Sequence, residues 1–205
     1  MLLVEHALLL AAGCLTMWIL FTFVGGRMIS RSEINIDLKE AKLEDVKPLL
    51  RLPQPEKMDL RGNPLDAEDI DSLTEKFPNC EILWDVPLGA ERFDCLSETL
   101  APSAFSQEQA YLYRYFPNLR EVDLRAAKLT EEGYKVLRDM IPNCRILWNV
   151  VLDETFSLEN EVTAVTLANT EQTQFLLDNA ESLKNISHIQ VDYTNLSIEH
   201  FIALA

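Results

Sequence analysis

The chain repeats itself at a spacing of 64 residues, and no other feature restricts its fold as much. Met58-Asp59-Leu60-Arg61 recurs as Val122-Asp123-Leu124-Arg125. In the same register Phe77-Pro78-Asn79-Cys80-Glu81-Ile82-Leu83-Trp84-Asp85-Val86 recurs as Ile141-Pro142-Asn143-Cys144-Arg145-Ile146-Leu147-Trp148-Asn149-Val150. No gap is needed between the two stretches. A unit that recurs this way is one supersecondary element that buries its apolar face against its neighbours.

Finer periodicity lies inside the unit. Leu119-x-x-Val122-x-Leu124-x-x-Ala127-x-Leu129 is matched by Met58-x-Leu60-x-x-Asn63-x-Leu65 and by Ile36-x-Leu38-x-x-Ala41-x-Leu43. Ile186-x-x-Ile189-x-Val191-x-x-Thr194-x-Leu196 is a further copy, with weaker ones at Cys95-x-x-Glu98-x-Leu100 and Val162-x-x-Val165-x-Leu167. Each apolar–polar–apolar core predicts a strand with one buried face. Ile70, Leu73 and Phe77 fall on one face of a predicted helix, with Asp66 as N-cap and Pro78 as its stop. The links after Leu88 and Leu152 (Gly89-Ala90, Asp153-Glu154) read as tight turns without a helix.

These motifs fit the template LxxLxLxxNxL. The chain resembles bacterial leucine-rich-repeat proteins in which a short membrane helix is followed at once by such repeats. The resemblance covers residues 33–205, and it departs from the family in keeping the template asparagine only at Asn63. It implies an α/β leucine-rich-repeat solenoid: a curved parallel β-sheet with helices on the convex side and irregular repeats, preceded by one transmembrane helix. It also implies a binding or scaffolding role, an exported domain and no catalytic residues. Leu196–Ala205 matches Leu129–Arg138 and stops inside a helix, so the repeat domain is expected to be truncated or uncapped.

Ala7–Val24 is free of charge. As a helix it would span about 27 Å, close to the bilayer's hydrocarbon thickness. A cleaved signal peptide would want a basic n-region, which is missing, and a shorter apolar run. Ala11-Ala12-Gly13-Cys14 only faintly resembles a lipobox, because Leu15–Val24 continues apolar. The expected division is a membrane anchor over residues 1–26, a linker over 27–32 and the repeat domain over 33–205. The localisation that follows is single-pass membrane. Family resemblance places the repeats outside the cytoplasm, whereas Arg27 and Arg31 favour the cytoplasmic side.

Among the 205 residues are 33 Asp and Glu against 18 Lys and Arg, a net charge of −15. That balance excludes a broad nucleic-acid footprint. Four cysteines and three histidines suit neither a disulfide scaffold nor a zinc site, and His188 and His200 have no ligand-spaced neighbours. Cys80 and Cys144, at equivalent positions, read as small buried hydrophobes, while Cys14 and Cys95 belong to no motif. Trp84 and Trp148 recur in register and read as packing residues. No Gly-x-Gly-x-x-Gly or Gly-x-Ser-x-Gly motif is present. No catalytic residues, metal ligands or cofactor are expected, and the chain does not read as an enzyme.

The candidate site is the polar set between the apolar strand positions: Asp37, Lys39, Asp59, Arg61, Glu121, Asp123, Arg125, His188 and Gln190. Alternation points these residues to the concave face of the expected sheet. There they form either a solvated ladder, each base offsetting the neighbouring strand's Asp diagonally, or a groove for a peptide or glycan. The expected function is a membrane-anchored, non-catalytic binding or scaffold protein whose partner is a protein or cell-envelope ligand. The alternative is a sensory or regulatory segment of a larger chain.

Overall fold

A computed structural model describes residues 21–152 and 155–192. The chain divides into two compact units, one of residues up to 87 with 92–96 and one of residues 88–91 with 97 onward.

The first unit opens on a hairpin, β1 (Phe21–Val24) and β2 (Arg27–Ser30). Gly25 and Gly26 join the strands at φ 53° and 76°, the two positive values that a two-residue hairpin turn demands. A Cβ on Gly25 would meet Leu43 Cδ2 at 2.9 Å and the Ala41 carbonyl at 3.0 Å, so only glycine fits there. Next comes a parallel ladder of β3 (Asn35–Asp37), β4 (Lys57–Asp59) and β5 (Glu81–Leu83). A short 3-10 helix, Leu49–Arg51, links β3 to β4. Helix α1 (Ala67–Lys76) links β4 to β5, and Asp66 and Asp69 close a reciprocal capping box at its start. Ile70, Leu73 and Phe77 are buried on its inner face, as the helical spacing predicts. After Trp84 the chain turns into a second hairpin, β6 (Asp85–Leu88) and β7 (Glu91–Asp94).

The second unit repeats the order. β8 (Thr99–Leu100), β9 (Glu121–Asp123) and β10 (Arg145–Leu147) form a parallel ladder. The 3-10 helix Gln107–Tyr115 and helix α2 (Glu131–Met140) supply the crossovers. A third hairpin, β11 (Asn149–Val151) with β12 (Ser157–Glu159), follows Trp148. Last come β13 (Ala164–Leu167), helix α3 (Thr170–Asp178) and β14 (His188–Val191), with β13 and β14 parallel.

The expected solenoid sheet is not what forms. Among the described residues the strands make six small separate sheets, three parallel ladders and three hairpins. The reason lies at the tryptophans. A single residue, Trp84, separates β5 from β6, and both of its backbone groups are engaged by the returning hairpin: Cys95 N–H donates to its carbonyl at 3.0 Å, and its N–H reaches Cys95 Sγ at 3.5 Å. The hairpin therefore stands where a continuous sheet would place its next parallel strand, and β8 starts a ladder of its own. The fold is a small α/β arrangement of repeated ladder-plus-hairpin modules.

The membrane helix is corrected as well. Residues 1–20 lie outside the described residues. The last four residues of the uncharged run, 21–24, are strand β1, with Val24 and Ile29 buried, and the expected linker 27–32 begins as β2. Among the described residues no helix is long and apolar enough to cross a membrane. An anchor over residues 1–26, and the single-pass membrane localisation built on it, are withdrawn.

Candidate functional site

Asp59 ends β4, and Leu60 beside it is fully buried. That anchoring fixes the direction of Asp59 and Arg61, which alternate outward on either side of it. Arg61 grips its own strand's carboxylate with two bonds: Nε donates to Asp59 Oδ1 at 2.9 Å and Nη2 to Oδ2 at 2.5 Å. Its Nη1 reaches across to Asp94 Oδ2, on β7, at 2.8 Å. The arrangement is a carboxylate–guanidinium–carboxylate clamp between ladder and hairpin.

The second unit builds the same clamp. Arg125 Nε and Nη2 donate to Asp123 at 3.0 and 2.7 Å, and Nη1 reaches both oxygens of Glu159, on β12, at 3.2 Å. The Arg61 guanidinium holds the Asp59 carboxyl below the usual aspartate range, and Arg125 does the same for Asp123. A planar fork matched to a carboxylate has one geometry, so each clamp is pre-organised.

Beside each clamp sits a cross-strand pair whose charges are exchanged between the units. Lys57 on β4 meets Glu81 on β5 at 2.8 Å. At the equivalent positions Glu121 on β9 meets Arg145 on β10 at 2.7 Å. Arg145 also binds Glu161, whose carboxyl it pulls below its ordinary range.

The remaining expected residues stand apart from the clamps. Asp37 and Lys39 are exposed; Asp37 accepts the Lys39 backbone N–H at 3.1 Å, and its carbonyl accepts from Arg27 at 2.8 Å. His188 and Gln190 are exposed on β14, and Gln190 donates to Asp192 at 2.8 Å. The diagonal ladder expected between strands is replaced by pairing within each strand, Asp59 with Arg61 and Asp123 with Arg125.

Sequence reasoning missed Asp94, Glu159, Glu81, Arg145 and Glu161. Glu81 and Arg145 were within reach, since they oppose Lys57 and Glu121 at the repeat spacing. Asp94 and Glu159 were not, because the third hairpin is one residue longer than the second and breaks the register.

The thiols are structural. Burial raises the pKa of Cys80, Cys95 and Cys144, that of Cys144 to about 11, which holds all three in the inert protonated form at neutral pH. Cys14 and His200 lie outside the described residues. Trp84 and Trp148 are buried. Among the described residues no group of three His, Cys, Asp or Glu could hold a metal ion. Compared with family models, curated proteins and solved structures, the chain matches none of them.

Proposed function

We propose that the chain is a non-catalytic binding protein whose clamp surfaces recognise a protein partner. The observation that carries this reading is the recurrence of one rigid polar constellation, Asp59–Arg61–Asp94 and Asp123–Arg125–Glu159, at an exposed or half-buried surface of each unit. Each arginine spends only some of its five donors on the clamp. The remaining N–H groups and the spare carboxylate lone pairs offer donors and acceptors side by side, which suits the amides and polar side chains of a protein. Because the geometry is fixed before binding, little side-chain entropy is lost on contact. The exchanged pairs Lys57–Glu81 and Glu121–Arg145 give the two copies different borders, and hence different preferences.

The test is affinity capture from cell extract with the full chain and with a variant carrying Ser at 59, 61, 123 and 125. The reading predicts that the variant melts cooperatively yet loses a partner the parent retains. Identical capture by both proteins, with the variant folded, would refute it.

A further inference from the structure

We propose that β14 is a docking edge for an extended strand of another protein, with the sequence character Glu-Ile-Leu-Trp. The basis is a threefold backbone identity. In the first unit Glu56 and Lys57 N–H both donate to the Ile34 carbonyl. In the second, Arg120 and Glu121 N–H both donate to Glu98. Next, Ser187 and His188 N–H both donate to Thr163. β14 thus occupies the place of β4 and β9, the middle strands of three-stranded ladders.

Those middle strands carry a partner on their far edge. Leu60 N–H donates to the Leu83 carbonyl of β5 at 2.7 Å, and Leu124 N–H to Leu147 of β10 at 2.7 Å. β14 pairs only with β13 among the described residues. Alternation along a parallel strand aims His188, Gln190 and Asp192 backbone groups at β13, as the Asp192 N–H to Leu167 bond shows. The Ile189 and Val191 groups therefore aim at the far edge, where no described residue receives them.

The side chains tell the same story. Met58, Leu60, Val122 and Leu124 are all 0 % exposed, whereas Ile189 and Val191, their equivalents, are half-buried. An unpaired edge with unfinished apolar positions is a template for strand addition. The chain's own ladders define the occupant: Glu81-Ile82-Leu83 on β4 and Arg145-Ile146-Leu147 on β9. The residue opposite the middle strand's first position is charged in both, and opposite His188 an acidic residue fits. A second copy does not supply this strand, since β5 and β10 are already held in their own ladders.

The test uses the full chain and a fluorescein-labelled peptide with the sequence of residues 79–86, Ser replacing its cysteine. Fluorescence anisotropy should show saturable binding. The peptide backbone gives a control that leaves the protein intact. N-methylation at the Glu or Leu nitrogen, which would face β14, should weaken binding at least about tenfold, the loss of one buried hydrogen bond. N-methylation at the Ile nitrogen, which faces away, should change it little. Val191→Pro, which removes the receiving N–H but no bond to β13, should match the first result. Absence of binding, equal effects of all three methylations, or binding that survives in folded Val191→Pro would overturn the proposal. So would a concentration-dependent dimer that the peptide dissociates, because the edge would then belong to a second copy.

Discussion

Cys95 and Asn160 stand at the same place in successive repeats, each accepting the backbone N–H of its repeat's tryptophan. Cys95 Sγ takes Trp84 N–H at 3.5 Å, and Asn160 Oδ1 takes Trp148 N–H at 2.9 Å. In both cases the residue's own N–H closes the loop onto the tryptophan carbonyl, at 3.0 and 2.9 Å. This pairing locks each hairpin to its ladder, and it is the joint at which a continuous sheet is interrupted.

Asn160 does more than its counterpart, since its Nδ2 also donates to the Ile146 carbonyl at 2.8 Å. Asn160→Ala leaves one backbone donor and one acceptor without side-chain partners. A destabilisation of about 1–3 kcal/mol is expected, read from urea melts. Asn160→Cys should recover part of it, because the first repeat already uses sulfur there. An unchanged midpoint in the alanine variant would show that the hairpin is held by other contacts.

Asn63 is buried, with 3 % exposure. Its Oδ1 accepts Leu43 N–H at 2.9 Å, and its Nδ2 donates to the Leu38 and Leu60 carbonyls at 2.9 and 2.7 Å. Asn63→Ala should therefore cost about 2–4 kcal/mol, as several buried backbone groups lose their partner together. Asn63→Asp should also destabilise, because a carboxylate has no donor for the two carbonyls. Thermal melting decides between this network and simple packing, which predicts a small loss for the near-isosteric Asp.

The clamps make stability depend on pH with a definite sign. Arg61 lowers the folded-state pKa of Asp59, and Arg125 lowers that of Asp123. A carboxyl depressed in the folded state contributes stability that is fully present above its unfolded pKa, near 4 for Asp. That contribution is lost as pH falls through the lower folded value. The stability difference between the parent and Asp59→Asn should be largest at neutral pH and should shrink steadily below about pH 4. A difference that grows on acidification would contradict the ion pairing.

Much of this arrangement was legible in the sequence, and the limits have physical causes. Alternation placed Met58, Leu60, Val122 and Leu124 in the core and their polar neighbours outside. The helix over 67–76 followed from Ile70, Leu73 and Phe77. The first hairpin was not legible, although β1 and β2 lie one repeat before β6 and β7. Phe23 and Met28 face each other across it at 70 % and 54 % exposure, so a stretch of surface strand carried the hydropathy of a membrane segment. The broken sheet was hidden because strand alternation reads the same whether the next strand continues a ladder or starts another. The clamp acids were hidden by the extra residue of the third hairpin. Only the backbone shows that Asp94 and Glu159 are one position.

The central claim is that clamp geometry, rather than surface charge, does the binding. The measurement that tests it most directly is the affinity for the captured partner of the double variant Arg61→Lys, Arg125→Lys. Lysine keeps both charges but loses the planar fork that spans Asp59 and Asp94, or Asp123 and Glu159. The account predicts a Kd weaker by at least about tenfold, with a melting temperature close to the parent's because the clamps are partly exposed. An unchanged Kd in the folded double variant would contradict it and reduce the clamps to surface ion pairs.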